Sequence, residues 1–180
     1  MRQSILRYFI SLLLVSLCIC SATSIFIISG SMKEDSEREM MYSVKLIEYN
    51  LDYSGDLNKQ IETLNPLAFS DDTRISVIDE KGKVLADTYK DDISSNHIKR
   101  EEVQEALHSS NHEGYAMRRS ETTNQPLLYA AYYKDNHIIR LSIPYSGVWG
   151  YFPELAPAFA ISILISILFS YIVARKLSKR

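Results

Sequence analysis

The stretch that decides the fold is Arg74-Ile-Ser-Val-Ile-Asp-Glu-Lys-Gly-Lys-Val-Leu-Ala-Asp-Thr88. Ile75 and Val77 alternate with polar neighbours, which is the period of a half-buried β-strand. Residues 79–82 have the composition of a tight turn, and residues 83–88 return as a partner strand. The stretch therefore predicts a β-hairpin.

The segment before the hairpin has helical periodicity, and residues 33–64 contain no proline. Apolar residues recur there at spacings of four, three and four: Met40, Val44, Ile47 and Leu51. This narrow stripe either packs on the sheet or pairs with a second copy of the helix. Continuity with the apolar run before it predicts one long helix, with a break near Gly55.

Further elements are predicted after the hairpin. They are, in order, a short helix and three strands: residues 97–108, 114–121, 127–134 and 137–143. Asp135 and Asn136 form a short turn between the last two strands. The sequence thus predicts an α+β fold, with a long N-terminal helix, an antiparallel sheet of about five strands, and helices on one face.

Acidic and basic residues are unevenly distributed along the chain. Residues 33–154 contain all 22 acidic residues and 14 of the 20 basic ones, which gives this segment a net charge of −8. The remaining basic residues flank it: Arg2, Arg7, Arg175, Lys176, Lys179 and Arg180. An acidic domain lacks the basic face that phosphate neutralisation needs, so nucleic acid is excluded as its partner.

Two uncharged runs indicate membrane helices. Residues 8–32 and 155–174 are 25 and 20 residues without a charge, and each can cross a hydrocarbon core of about 30 Å as a helix. Because short basic flanks stay in the cytoplasm, residues 1–7 and 175–180 are expected inside and residues 33–154 outside. The predicted partner is a lipid bilayer, crossed twice, with both termini cytoplasmic.

A cleavable signal peptide is the alternative for the first run, since Ala22 follows small residues and a basic segment begins the chain. The apolar stretch continues to Ile28, longer than the 7–15 residues or so of a signal peptide's apolar region, so we expect a retained anchor. Cys18 and Cys20 are two apart on this helix and point to nearly opposite faces, so they cannot form a disulfide with each other.

Small residues recur at every fourth position in the second run, where they let membrane helices approach closely. They are Ala158, Ser162, Ser166, Ser170 and Ala174, with Ser16, Cys20 and Ser24 as a shorter counterpart in the first run. This stripe predicts that the membrane helices pack as a bundle.

The outer segment contains no residue set typical of catalysis or cofactor binding. His108 and His112 are four apart, but the residues between them resemble a helix end and no third ligand is near, so no metal site is predicted. The acid-rich residues 34–39 are interpreted as the solvated start of a helix, where acids favour the helix dipole. A divalent-cation bridge to anionic lipid is the alternative.

Several stretches resemble a known family. They are residues 74–88, Asn96-His-Ile-Lys-Arg-Glu-Glu-Val-Gln-Glu-Ala-Leu107, Gly114, Arg118-Arg-Ser-Glu-Thr122, Leu128-Tyr-Ala-Ala131 and Ile138-Ile-Arg-Leu-Ser-Ile-Pro144. Together they resemble the extracytoplasmic PAS-like (Cache-type) sensor domain of bacterial two-component histidine kinases, with the phosphate-regulon type as the nearest match. Residues 174–180 look like the opening of the HAMP linker. The resemblance implies a bacterial plasma-membrane protein with its sensor domain at residues 33–154.

The resemblance also implies a ligand site between the sheet and the segments that cover it. The polar residues that would surround it are Arg74, Asp87, His97, Arg100, Arg118, Tyr129 and Arg140. Structural ion pairs between Asp87 and the arginines are the alternative, since charged side chains in sheets commonly pair across strands.

The expected function is detection of an extracytoplasmic stimulus by a homodimer, and its transmission through the second membrane helix to a histidine kinase. In the resembled family the kinase half would follow Arg180, so residues 1–180 are expected not to be an enzyme. One alternative is the sensor of a chemoreceptor or a cyclic-dinucleotide enzyme. Another is a free-standing two-helix membrane protein whose outer domain binds a partner or an envelope polymer.

Overall fold

The computed structural model describes residues 2–70, 72–89, 96–120 and 124–178, and the chain divides into two units, Met1–Tyr145 and Ser146–Arg180. The first unit contains α1 (Arg2–Asn50), α2 (Leu57–Leu64), β1 (Arg74–Asp79), β2 (Val84–Asp87), α3 (Glu101–His108), β3 (Glu113–Arg119), β4 (Pro126–Lys134) and β5 (His137–Pro144). The second contains a 3₁₀ turn (Gly147–Tyr151) and α4 (Phe152–Ser178).

Helix α1 is continuous over 49 residues. Its stretch Val15–Asn50 is, by length and composition, the one helix among the described residues found long and apolar enough to cross a membrane. The second predicted span, residues 155–174, lies within α4, and its crossing of a membrane stays a prediction. The break predicted near Gly55 is confirmed, because α1 ends at Asn50 and α2 starts after the N-cap residue Asp56.

The acid-rich residues 34–39 lie inside α1, so their interpretation as a helix start is wrong. The membrane run and the outer helix join without a break at Lys33, which leaves these acids far from the helix N-terminus. They pair instead along the helix surface: Lys33 lies 3.2 Å from Glu37, four residues on, and Arg38 pairs with Asp35.

The sheet has the order β2-β1-β5-β4-β3, with every neighbouring pair antiparallel. Strand β5 is central and β2 and β3 are the edges. The predicted turn between β4 and β5 is observed: Asp135 and Asn136 have φ of 49° and 65°, as a two-residue hairpin loop with right-handed strand twist requires.

Helix α1 packs on one face of the sheet, named here the α1 face. The predicted stripe is almost fully buried there, with exposed fractions of 0, 0, 0 and 9% for Met40, Val44, Ile47 and Leu51. It joins a core cluster that includes Ile75, Val77, Ile139 and Leu141. Of the two alternatives for the stripe, packing on the sheet is therefore correct.

Helix α3 packs on the opposite face, named here the α3 face. Its Val103 and Ala106 form a second core cluster with Ile138 of β5, whereas the next residue, Ile139, belongs to the first cluster. Because successive strand residues point to opposite faces, helices cover both faces, and the prediction of helices on one face is wrong. Strands β2 and β3 are opposite edges of the sheet, and the segment that joins them contains α3. Because α1 already covers one face, α3 covers the other.

The predicted helix over residues 97–108 begins later, at Glu101. His97 instead donates its backbone N–H to the carbonyl of Gly82, at 2.7 Å, and Arg100 is extended, with ψ of 137°. His112 has a φ of 60° and lies beyond the end of α3. His108 and His112 therefore share no helical face.

In the second unit, the aromatic side chains around the start of α4 are exposed: 69% for Trp149, 52% for Tyr151 and 55% for Phe152. Within α4, Ser162 donates its hydroxyl to the carbonyl of Ala158, at 2.9 Å. Three members of the small-residue stripe have side chains outside the described part of the structure: Ser166, Ser170 and Ala174. The predicted helix bundle, including the exposed Ser16, Cys20 and Ser24 of α1, stays a prediction.

Candidate ligand-binding face

One end of the α3 face is polar. Strand pairing sets Asp87, Ser76 and Arg140 side by side across β2, β1 and β5. A second row across β1, β5, β4 and β3 is formed by Arg74, Ser142, Tyr129 and Ala116. Arg118 lies two residues further along β3, on the same face. The other end of this face is the apolar cluster under α3.

Asp87 is the acidic centre of the first row and is 2% exposed. Its Oδ1 and Oδ2 lie 2.9 and 3.0 Å from Nε and Nη2 of Arg74, which is a bidentate ion pair. The Ser76 hydroxyl donates to Oδ2 at 2.8 Å, and the backbone N–H of Tyr89 donates to Oδ1 at 2.8 Å. Four donors satisfy this buried carboxylate, so the ion pair that the sequence left as an alternative does form.

Glu102 brings a second carboxylate to the face from α3 and is fully buried. Its Oε1 and Oε2 accept hydrogen bonds from Nη2 and Nη1 of Arg118, at 2.9 and 2.5 Å. Burial by itself would raise the pKa of Glu102. The hydrogen bonds and charge of Arg118, together with the charge of Arg140, outweigh that effect and hold this pKa below its ordinary value.

The ring of Tyr129 lies beneath two arginines and is 6% exposed. The Arg118 guanidinium carbon is 3.7 Å from the ring centroid, and that of Arg140 is 5.7 Å away. The first distance is that of a stacked cation–π contact. Tyr129 therefore fixes the plane of the Arg118 guanidinium next to Glu102.

Arg140 is the most deeply buried of the three arginines on the face, with 4% of its side chain exposed. Its Nη2 donates to the Ser76 hydroxyl at 3.0 Å, whereas Nη1 is 3.6 Å from Glu102 Oε1, beyond hydrogen-bond distance. Its Nε is buried and has no hydrogen-bond partner among the described residues. Burial lowers the pKa of Arg140, and the nearby charge of Glu102 only partly opposes this.

The three arginines of this face differ in how closely a carboxylate approaches them within the described part of the chain. Three arginines face two carboxylates: Arg74, Arg118 and Arg140 against Asp87 and Glu102. Arg74 and Arg118 are hydrogen-bonded to a carboxylate, whereas the Arg140 guanidinium lies beyond hydrogen-bond distance of both carboxylates, and a buried charge without a close counter-charge is costly.

The structure brings together five of the seven predicted residues: Arg74, Asp87, Arg118, Tyr129 and Arg140. The backbone of His97 lies at the β1–β2 turn, at the opposite end of β1 from Arg74, and Arg100 precedes α3. Sequence reasoning missed Glu102 and Ser76. The signal for Glu102 was its position four residues before Ala106, on the apolar side of the predicted helix.

A groove of about 320 Å³ lies elsewhere, between α1 and the edge strand β3. Its lining includes Glu37, Tyr42, Lys45, Glu113 and Tyr115. Lys45 and Glu113 are paired there at 2.5 Å, and a surface ion pair of this kind contributes little free energy. We favour the α3 face as the functional site because its charges are buried and one of them is poorly satisfied.

Comparisons with known proteins give a likeness of fold. No protein-family model and no curated protein sequence matches the chain. Among solved structures it is similar to the Bacillus subtilis YkuI protein, which has an EAL domain and was solved with c-di-GMP and calcium, at a TM-score of 0.50 and 18% identity. The match covers 71% of this chain and 36% of that one. At this identity the likeness concerns the fold alone.

Two further structures have lower scores. The extracellular domain of the histidine kinase rpHK1S-Z16 has a TM-score of 0.34 at 16% identity, over 41% of this chain and 31% of that one. The ligand-binding domain of the Campylobacter jejuni chemoreceptor Tlp3, solved with 4-methylisoleucine, has a TM-score of 0.47 at 17% identity, over 67% and 55%. The chain thus spans between about a third and about half of the length of these three structures.

Proposed function

We propose that residues 33–154 are the sensing domain of a bacterial membrane receptor, and that the polar end of the α3 face receives the stimulus. The observation that carries this proposal is the position of Arg140. It belongs to the buried charge cluster, and it lies on β5, the strand that leads through Pro144 toward the last helix.

The composition of the α3 face supports a binding role. The α1 face is closed by an apolar core, whereas the α3 face buries two carboxylates and Arg140. Replacing buried ion pairs by apolar side chains of similar volume is often neutral or stabilising. Stability alone therefore gives no reason to keep these charges, and perturbed ionisable groups cluster at functional sites.

In this proposal the signal passes along the backbone from β5 to α4. Strand β5 ends at Pro144, and α4 begins at Phe152 after one 3₁₀ turn. A change in the position of Arg140 would shift β5, and so short a connection would pass that shift to α4. In this proposal α1 and α4 both cross the plasma membrane, and the basic flanks keep both termini cytoplasmic.

A homodimer completes the proposed receptor. Opposite its buried stripe, α1 exposes Tyr42, Leu46 and Tyr49 by 68, 46 and 82%. Their spacings of four and three place them on one helix face, as in a coiled-coil seam. Anchoring in one membrane would orient two copies of α1 in parallel, so a second copy of this chain is the partner that fits this face.

The proposed output is a histidine kinase of the phosphate-regulon type, joined through a HAMP-like linker that starts at residues 175–180. The catalytic chemistry would belong to that half and not to residues 1–180. A chemoreceptor or a cyclic-dinucleotide enzyme as output, and a free-standing membrane protein that binds a partner or envelope polymer, are the competing outcomes.

A fusion experiment tests the receptor proposal. The full chain is joined after Arg180 to the cytoplasmic half of a histidine kinase, inserted in nanodiscs, and its autophosphorylation rate is measured for the wild type, Arg140→Gln and Arg119→Gln. Arg119 is exposed on β3 and faces away from the cluster, so its variant removes the same charge outside the site. We expect Arg140→Gln to change the rate and Arg119→Gln to leave it unchanged. Equal rates in all three folded fusions would contradict the proposal.

A further inference from the structure

The N–H groups of Arg140 point to the chemistry of the ligand. A guanidinium has five N–H donors, and the described residues give Arg140 one hydrogen bond, from Nη2 to Ser76, at 3.0 Å. Its Nε is shielded from water and unpartnered among those residues. A buried donor without an acceptor is costly, so the arrangement is incomplete without an acceptor that this part of the chain does not supply.

The charges around Arg140 indicate which kind of acceptor would bind there. Asp87 is saturated by Arg74, Ser76 and the Tyr89 N–H, so it has little capacity left for Arg140. Glu102 is engaged bidentately by Arg118. Because no described carboxylate lies within hydrogen-bond distance of Arg140, its charge favours an anion over a neutral acceptor, and the fork of a guanidinium suits a group with two oxygens.

We infer that the α3 face binds a small ligand through an oxyanion, either a carboxylate or a phosphate, which accepts hydrogen bonds from Arg140 and Arg118. This inference rests on the proposed sensing function and names the ligand chemistry of the same site.

Glu102 competes with such a ligand. Its carboxylate holds both guanidinium nitrogens of Arg118 and is the acid nearest to Arg140. An arriving oxyanion draws these arginines away from Glu102 and so loosens the polar tether of α3 to the sheet. The helix is then held at its middle by the apolar contacts of Val103 and Ala106, and at its far end by the hydrogen bond from the Tyr115 N–H to Glu105, so ligand binding becomes a movement of the start of α3.

The test uses the full chain in nanodiscs of neutral phosphatidylcholine, with ¹⁵N-labelled arginine. The Nε–H signal of Arg140, assigned by its loss in Arg140→Lys, is followed during titration with acetate, inorganic phosphate, acetamide and chloride at constant ionic strength. We expect acetate or phosphate to move this signal saturably, and acetamide and chloride to leave it in place. The stronger of the two oxyanions identifies the class of ligand.

Two variants sharpen the result. Arg140→Gln should weaken oxyanion binding, measured by calorimetry, by at least about tenfold, whereas Arg119→Gln should bind as the wild type does. If Arg140→Gln fails to fold, the wild-type titration decides by itself. An Arg140 signal that neither oxyanion moves, or an equal shift with acetamide, would overturn the inference.

The two proposals fail in different ways. If the kinase fusion responds to Arg140→Gln but no oxyanion binds, the sensing function stands and this ligand chemistry is wrong. If an oxyanion binds and the fusion output does not change with Arg140, the ligand chemistry stands and the receptor proposal is wrong.

Discussion

Glu102 on α3 and Arg118 on β3 form a two-pronged ion pair, with N–O distances of 2.5 and 2.9 Å. The glutamate side chain is fully buried, and the arginine side chain is 26% exposed. Helix α3 is attached to the sheet by this charged pair, by the apolar contacts of Val103 and Ala106, and by a hydrogen bond from the Tyr115 N–H to Glu105. The charged attachment can be removed without touching the apolar one.

Glu102→Gln tests that attachment. The substitution leaves Arg118 and Arg140 without their shared carboxylate, and breaking a fully buried pair costs about 3–5 kcal/mol. Because Arg118 reaches water, we expect a smaller loss, about 2 kcal/mol in the free energy of unfolding. It is measured by denaturant unfolding of the chain in micelles, followed by the near-ultraviolet circular dichroism of the tyrosines. Glu101→Gln, at an exposed neighbour, should cost less than about 0.5 kcal/mol. Equal losses in both variants would contradict the prediction.

The stability of the folded chain at acid pH should depend on the ionisation of Glu102. The pKa of Glu102 is lower in the folded chain than its ordinary value of 4.5, so the unfolded chain takes up the proton first as the pH falls. The stabilisation is complete above pH 4.5 and is lost as the pH falls through the folded pKa. Melting temperatures of the wild type should therefore decline more steeply below this pH than those of Glu102→Gln. Parallel curves for the two proteins would argue against a depressed pKa.

Gly114→Ala should displace α3. A methyl group at this position would collide with the backbone carbonyl of Glu102 and lie 2.6 Å from the backbone nitrogen of Ala106. Backbone atoms cannot turn aside as a side chain can, so we expect a loss of about 1–3 kcal/mol, as for overpacking in a core. Hydrogen exchange of the α3 amides should accelerate at the same time. Gly30→Ala, where nothing lies within 4 Å of the added carbon, should not lower stability. Unchanged α3 exchange in Gly114→Ala would be the contrary result.

Much of the fold could be predicted because its signals are local. Strand bounds were predicted to within a residue or two from the alternation at Ile75 and Val77 and from the Asp135-Asn136 turn. The apolar stripe of α1 predicted which face of that helix is buried. The packing of helices on both faces of the sheet could not be predicted from local signals. It depends on β2 and β3 occupying opposite edges of the sheet, which is a consequence of strand order and not of any one segment.

Only part of the candidate site could be predicted from local sequence signals. Arg74, Arg118 and Arg140 stand out as charges within strands, and register brings them to one face. Glu102 was missed because a glutamate in the first turn of a helix is ordinarily a solvated residue that favours the dipole. Only the packing of α3 shows that its carboxylate turns toward the sheet. Ser76 was missed because serine on a strand gives no signal of the charges that its neighbours bring.

Tyr53→Phe should be neutral or slightly stabilising near neutral pH. The Tyr53 ring stacks on His137 at 3.9 Å, but its buried hydroxyl has no hydrogen-bond partner among the described residues. Removing an unsatisfied hydroxyl keeps the ring contact and ends the cost of desolvating the oxygen. Tyr115→Phe is the matched comparison, because the Tyr115 hydroxyl donates to Glu113 at 3.1 Å. That variant should lose about 1 kcal/mol in the free energy of unfolding.

Alkaline pH separates the two explanations for Tyr53. Burial, followed by the charges of Glu48 and Asp135, raises the pKa of Tyr53 from 10.0 to about 12. The folded chain therefore keeps a proton that the unfolded chain loses first, and stability falls as the pH rises from 10 toward 12. This part of the alkaline loss should be absent in Tyr53→Phe, because phenylalanine has no proton to lose. If the variant unfolds at alkaline pH just as the wild type does, or is clearly destabilised at neutral pH, then the Tyr53 hydroxyl has an acceptor and is not the unsatisfied group that the structure indicates.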